Sequence, residues 1–341
     1  MDFKRRLPIP KEIKQDYPLS RRGAELREKT IAQIENILCG RDSRMLLVIG
    51  PCSADREDSV TAYLEKLRRL QEKVQDRILI VARLYTGKPR SKGNAYKGML
   101  HSPDPESGNE DILKGLISIR KIHLKALEQI GLGCADELLY PESYRFTSDL
   151  LCYTTVGARS AENQQHRLTA SGIDIPVGFK NPMNGDLHSM RQAIETAQNE
   201  HLFIYRNWEV QSQGNAYAHG ILRGYVDNLG ESHANYSFDS LRYACATMTG
   251  PSLENPALLV DCNHSNSGKN FLKQIDIAKD VLRSRKTDAN IHTIVKGLMI
   301  ESYLEDGAQD EHGGHFGQSI TDPCLGWDKT ERLVVELTDL W

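Results

Sequence analysis

The chain lacks the features that mark secreted, membrane-spanning or nucleic-acid-binding proteins. Its seven cysteines, at 39, 52, 134, 152, 245, 262 and 324, are odd in number, scattered, and form no C-x-x-C pair, which argues against a disulfide framework or a zinc ribbon. No apolar run approaches the roughly 18 residues that span a bilayer, and no apolar stretch follows the positive start Met1-Asp2-Phe3-Lys4-Arg5-Arg6 as a signal peptide would need. An excess of basic charge is also missing: 43 Lys and Arg against 46 Asp and Glu leave a formal charge of -3, so neither nucleic acid nor a membrane surface is an expected partner. Long-period repeats are absent, since Gly-Asn-Ala-Tyr at 93 and at 214 has no surrounding period. These absences point to a cytoplasmic protein whose thiols stay free to act as ligands.

What is present is an alternation of apolar runs and amphipathic stretches. At 341 residues and 39% hydrophobic the chain can bury one large core, and this length suits a single α/β barrel. Residues 22–38 read as a helix, with Ser20 as N-cap, Ile31, Ile34, Ile37 and Leu38 on one face, and Gly40 as its stop. Strands are expected at 45–49, 78–84, 133–138, 154–158, 176–180, 202–205, 258–261 and 294–300, and a long helix at 110–130. Eight strands with crossover helices predict a (β/α)8 TIM barrel. Residues 1–44 form an N-terminal extension, residues 45–341 the barrel, and 206–250 is too long and polar for one crossover, so an inserted hairpin or excursion is expected after strand six.

Several runs end in groups with metal-ligand chemistry. Residues 45–50 lead to Pro51-Cys52, 257–260 to Asp261-Cys262-Asn263-His264, and 295–300 to Glu301, while Asp322 sits in a later loop. Polar groups at the ends of buried parallel strands assemble one site. Taken singly, Cys52 reads as a small buried hydrophobe, Glu301 as a capping or salt-bridge residue, and His264 equally as core histidine or ligand. A second set is cationic: Arg83, Lys88-Pro89-Arg90-Ser91, Arg159, Lys180 and Arg223. Any one of these reads as a solvated surface charge. Five or six at strand ends imply anionic ligands, because unpaired buried cations are costly and guanidinium forks match phosphate and carboxylate oxygens.

Gly50-Pro51-Cys52-Ser53, Lys88-Pro89-Arg90-Ser91, Gly157-Ala158-Arg159, Gly178-Phe179-Lys180-Asn181, the run from His219 to Gly224, the run from Asp261 to Ser267, Glu301-Ser302 and Ser319-Ile320-Thr321-Asp322 together resemble type I 3-deoxy-D-arabino-heptulosonate 7-phosphate (DAHP) synthase, from about residue 10 to the C-terminus. The resemblance implies a metal-dependent barrel enzyme, a transferase that condenses phosphoenolpyruvate (PEP) with erythrose 4-phosphate at the head of the shikimate pathway. It implies Cys52, His264, Glu301 and Asp322 as ligands of a divalent metal, and this mixed soft and hard set suits Mn²⁺, Fe²⁺, Co²⁺ or Zn²⁺ without choosing among them. It further implies that Arg83, Lys88, Arg159, Lys180 and Arg223 hold PEP, with Arg159 and Arg223 on its phosphate and the others near its carboxylate. Arg90 and Ser91 take the erythrose 4-phosphate phosphate, and Lys88 and His264 assist proton transfers beside Cys52. A homodimer or homotetramer follows from the resemblance alone. Other readings stay open: a 3-deoxy-D-manno-octulosonate 8-phosphate synthase-like enzyme, an aldolase acting on another phosphorylated aldehyde, or a non-catalytic regulatory barrel.

The chain departs from the family pattern in places. Ser91 stands where threonine is common and keeps the hydroxyl, Gly87 replaces a charged residue, and Ser160-Ala161-Glu162 replaces Thr-Thr-Glu while keeping the carboxylate. In feedback-inhibited relatives an aromatic amino acid lies between segments that here read Pro141-Glu142-Ser143-Tyr144, Thr169-Ala170-Ser171-Gly172-Ile173-Asp174 and a short stretch from Tyr205 to Gln213. Glu142 and Asp174 add negative charge that disfavours an amino-acid carboxylate unless a cation compensates. Weak or no inhibition by Phe, Tyr or Trp is therefore expected. Calorimetry checks this, and a nanomolar to micromolar dissociation constant for any of the three contradicts it.

Overall fold

Met-Leu-Leu-Val-Ile-Gly and Ile-Leu-Ile-Val-Ala-Arg are buried at every position, the signature of parallel strands covered on both faces. They open a closed barrel of eight parallel strands in a computed structural model that describes residues 1–89, 95–107 and 109–341. The strands are β1 (Met45–Gly50), β2 (Ile78–Arg83), β3 (Cys134–Glu137), β4 (Leu151–Val156), β5 (Val177–Lys180), β6 (His219–Leu222), β7 (Leu258–Asp261) and β8 (Val295–Glu301). They follow one another around the barrel in chain order, and β8 closes onto β1 with Val48 opposite Met299 and Gly50 opposite Glu301. The (β/α)8 architecture expected from the strand count is the fold. Among the described residues no helix is long and apolar enough to cross a membrane.

The helices Pro10–Asp16 and Arg21–Leu38 precede β1. Ser20 caps the second by accepting the Gly23 N–H at 3.2 Å, and Ile31, Ile34, Ile37 and Leu38 form its buried stripe, each contributing about 1.5–3 kcal/mol on burial. Arg27 donates to the Leu151 and Ser148 carbonyls at 2.9 and 3.1 Å, so this helix covers the start of β4. The helix expected at 110–130 has that extent but two geometries. An α-helix from Ile112–Leu124 continues as a π-helical turn, Lys125–Ile130, which Gly131 ends at φ +81°, a conformation that favours glycine.

The sixth strand is where the expectation fails. Leu202–Tyr205 is not in the barrel. It pairs antiparallel with Trp208–Gln211 in a separate hairpin, and Leu202 and Ile204 are 64% and 82% exposed. The barrel position belongs to His219–Leu222, which hydrogen-bonds to both β5 and β7. The inserted hairpin therefore precedes strand six. The stretch expected as an excursion holds the second hairpin strand, β6, a small hairpin of Tyr225–Val226 with Ser232–His233, and the helix Phe238–Met248. Strand four also begins and ends earlier than expected, so Arg159 lies in the loop beyond Val156 rather than at the strand end.

His219 makes β6 unusual. Its Nδ1 lies 2.9 Å from the Tyr217 carbonyl oxygen and its Nε2 2.8 Å from Tyr153 Oη. Since a carbonyl only accepts, Nδ1 carries the proton and Nε2 accepts from the tyrosine. The ring is fully buried, and burial pushes its pKa down to about 4, below the ordinary value near 6.5. The unfolded chain thus binds one more proton between these two values. Stability from this group is complete above about pH 6.5 and is lost as pH falls toward 4, at up to ~1.4 kcal/mol per pH unit. Urea melts of the wild type and His219→Gln from pH 7 to pH 4 should show a shallower loss in the variant. Parallel losses would rule out His219 as the titrating group.

Candidate active site

Gly50-Pro51 carries the chain out of β1 and delivers Cys52 to the mouth of the barrel. Gly50 is required here, because a Cβ would lie 2.1 Å from the Arg83 carbonyl oxygen. The Cys52 thiol sulfur accepts from Lys88 Nζ at 2.8 Å and from the Asp322 backbone N–H at 3.4 Å. Burial, reinforced by Glu301, raises its pKa. At the end of β8, Glu301 is fully buried and pairs with Arg83 Nη2 at 2.7 Å. Its backbone is clamped by the Gln274 amide, through bonds of 2.8 and 2.9 Å. Burial opposes its charge, yet Arg83, His264 and Lys88 outweigh that and lower its pKa. Asp322 arrives on the loop after β8 and is likewise lowered, burial being overcome by Lys88 and then Lys269.

The ligand atoms of Cys52, Glu301 and Asp322 lie within 4.8 Å of one another. His264 falls outside that mutual limit but its Nε2 is 3.7 Å from Glu301 Oε1. On the other side of the ring, Nδ1 is 2.9 Å from Asp261 Oδ2, without the alignment of a full hydrogen bond. Burial, above all, lowers the His264 pKa against the pull of Asp261, which favours the neutral imidazole, the form that ligates. A neutral imidazole turned by a carboxylate, with two carboxylates and a thiol converging beside it, fits a divalent metal. A second group of acids and histidine, Asp227, Glu231 and His233, is a closed turn: Asp227 Oδ1 accepts from Leu229 and Glu231 N–H, and His233 Nε2 lies 2.7 Å from Oδ2.

Arg83, Lys88, Arg159, Lys180 and Arg223 all face one cavity of about 260 Å³ at the same mouth, which Lys269 lines as a sixth cation. Lys180 pairs with Asp261 at 2.9 Å and both are buried. Arg83 stacks its guanidinium 3.6 Å from the Tyr85 ring centroid, and Lys180 Nζ lies 5.6 Å from the same ring. Arg159 and Arg223 form no ion pair among the described residues. Arg223 is held by its backbone, its N–H donating to Asn181 Oδ1 at 2.9 Å, and burial lowers its pKa. Two such guanidiniums facing a cavity favour an anion there. A larger hollow of about 510 Å³ beside Arg56 has no such surplus, since Arg56 is paired with Asp58 and Glu106. Arg90 and Ser91 lie outside the described residues.

Residues not singled out in the sequence complete the mouth. Asp261 joins Lys180 to His264. Glu137, at the end of β3, lines the same cavity with its pKa raised by burial, against the pull of Lys180 and Lys88. Both end barrel strands, the position that marked Cys52 and Glu301, so the signal was available. Lys269 lines the cavity and pairs with Asp322 at 3.0 Å. At the expected effector segments, Asp174 lies 3.5 Å from Arg27, a cation that the reading of uncompensated acid did not include.

Residues 24–335 match the DAHP synthetase I family. The chain is 36% identical over 339 residues to a phospho-2-dehydro-3-deoxyheptonate aldolase of Escherichia coli O157:H7 described as Trp-sensitive, covering 97% of this chain and 94% of that one. A Tyr-sensitive counterpart from Escherichia coli K12 is 35% identical over 340 residues, covering 97% and 92%. Among solved structures, a phospho-2-dehydro-3-deoxyheptonate aldolase from Francisella tularensis SCHU S4 superposes with a TM-score of 0.91 at 31% identity, covering 100% and 98%. With the match spanning most of the chain, the protein belongs to the DAHP synthetase I family.

Proposed function

We propose that this chain condenses PEP with D-erythrose 4-phosphate and water, giving DAHP and inorganic phosphate, with a divalent metal held by Cys52, His264, Glu301 and Asp322. The observation that carries the proposal is the adjacency of two sets in one mouth: a thiol and carboxylate cluster within 4.8 Å, and the cations Arg83, Lys88, Arg159, Lys180 and Arg223 around one cavity, with Arg159 and Arg223 in no ion pair among the described residues. The family is metal-dependent, and the metal when bound supplies Lewis-acid polarisation of an aldehyde oxygen.

The chain's own residues supply binding and charge. Arg159 and Arg223, in no ion pair among the described residues, offer guanidinium forks to the PEP phosphate. Arg83, Lys88 and Lys180, the cations held by Glu301, Cys52 and Asp261, take the PEP carboxylate, and the Tyr85 ring offers its face to both Arg83 and Lys180. With PEP so fixed, its C3 attacks the aldehyde carbon, water adds at C2, and the tetrahedral adduct loses phosphate by C–O cleavage. Lys88, whose pKa Cys52 and Glu301 raise against the opposing effect of burial, carries a proton beside the reacting centre. His264, whose Nδ1 lies 2.9 Å from Asp261, is the second group able to hold a proton there. Arg90 and Ser91 take the sugar phosphate. Subunit association as a dimer or tetramer, with the first 44 residues as an N-terminal extension to the barrel, belongs to the same proposal.

Phosphate release from PEP by metal-reconstituted protein tests the reading. Turnover is expected with erythrose 4-phosphate, not with arabinose 5-phosphate, and EDTA should abolish it. Turnover with neither sugar would favour a non-catalytic barrel, and turnover with the five-carbon sugar an octulosonate-type enzyme. Cys52→Ala should bring activity down to the EDTA background while thermal unfolding stays cooperative. Wild-type rates in the variant at excess metal would refute the ligand role.

A further inference from the structure

Three donors of the ligand cluster each hold one cation. Cys52 holds Lys88 at 2.8 Å, Glu301 holds Arg83 at 2.7 Å, and Asp322 holds Lys269 at 3.0 Å. Arg83 and Lys88 have a second destination in the anion cavity. Lys269 lines that cavity too, yet nothing in the reaction described above uses it. Its placement is constrained: Gly268 and Lys269 both adopt left-handed backbone, at φ +59° and +62°, and the Lys269 N–H donates to the His264 carbonyl at 2.9 Å. This tight turn folds the chain back on itself just beyond His264. The side chain, 64% exposed, reaches back from it to Asp322 on a stem free to swing.

We propose that Lys269 is a counter-ion shared between the two sets: it neutralises Asp322 until a divalent cation takes that carboxylate, and then turns its ammonium toward the phosphate end of the anion cavity. The inference rests on reading Asp322 as a metal ligand. A dication at the cluster repels an ammonium 3.0 Å from one of its carboxylates, and lysine, a mobile point charge on a flexible stem, relocates at little cost. The cavity that Lys269 lines offers it a destination beside Arg159 and Arg223, where an ammonium adds a mobile point charge to two fixed guanidinium forks. Metal and substrate phosphate then favour each other's binding, and the coupling is reciprocal.

Calorimetry with Mn²⁺ alone, and then with PEP on the Mn²⁺-loaded protein, tests this. Lys269→Gln should bind Mn²⁺ about two- to five-fold more tightly, the scale of a largely exposed ion pair, and should bind PEP more weakly by a similar factor. Lys269→Arg should stay near wild type in both, and the backbone cost at this φ is common to Lys, Gln and Arg, so strain cancels. Unchanged or weaker Mn²⁺ binding in Lys269→Gln overturns the proposal. Asp322→Asn separates the two levels. If that variant binds Mn²⁺ as the wild type does, Asp322 is no ligand and the underlying reading fails; if it loses Mn²⁺ while Lys269→Gln gains nothing, only the shared counter-ion fails.

Discussion

A buried ion pair holds the mouth of this barrel together. The Arg83 and Glu301 side chains are 1% and 0% exposed, and removing either partner from such a pair costs about 3–5 kcal/mol, because the other is left charged and dry. The two residues end β2 and β8, the strands on either side of β1. Their contact closes over the end of β1, and Arg83 also donates to the Pro51 carbonyl oxygen. Cys52 is thereby set between them. Gly50 permits the arrangement, because any side chain there would strike the Arg83 backbone. One pair thus ties barrel closure to the position of a ligand.

The same logic continues around the mouth as alternating charge. Lys88 stands on Cys52, Lys180 on Asp261, Asp261 on His264 and Lys269 on Asp322. At the mouth Glu301, Asp322 and Asp261 each face a cation, and this outweighs an interior that otherwise raises their pKa. Glu137 is the exception that locates the empty side: its pKa stays raised by burial even with Lys180 and Lys88 near. A divalent metal would bring positive charge to the carboxylates and the phosphorylated ligands negative charge to the cations, so each sign in this lattice gains a partner on binding.

How far this was legible in the sequence depends on whether the deciding contact was local. Runs such as 45–50 and 295–300 announce buried parallel strands by composition, and the residues that follow them fall in the mouth by geometry, so Cys52 and Glu301 could be placed from order alone. His219-Gly220-Ile221-Leu222 could not be read as a barrel strand, because glycine and histidine have weak strand preference and the histidine is accommodated by Tyr153 on β4, 66 residues earlier. Leu202-Phe203-Ile204-Tyr205 looked the better strand and is one, but its alternating exposure belongs to a hairpin with an open face. The partners of Lys269 and Asp261 were hidden for the same reason as the partner of His219, although the position of Asp261 at a strand end was legible. Those partners, Asp322 and Lys180, lie 53 and 81 positions away.

Backbone strain identifies the same region independently. Among the described residues four non-glycine positions have positive φ: Tyr85, Arg206, His264 and Lys269. Three of them line the one cavity where the cations meet, and such conformations cost of order 1–3 kcal/mol each. Each has a visible return. The turn at Tyr85 leaves its ring against Arg83 and Lys180, and that at His264 turns one ring nitrogen to Asp261 and the other to Glu301. The turn at Lys269 doubles the chain back onto the His264 carbonyl. Relaxing any of these backbones would preserve the barrel, whose strands need none of them, and would unmake the alternation of charge on which the mouth depends. The strain is therefore concentrated where the chemistry needs fixed side-chain directions, in the segments just beyond the ends of β2 and β7.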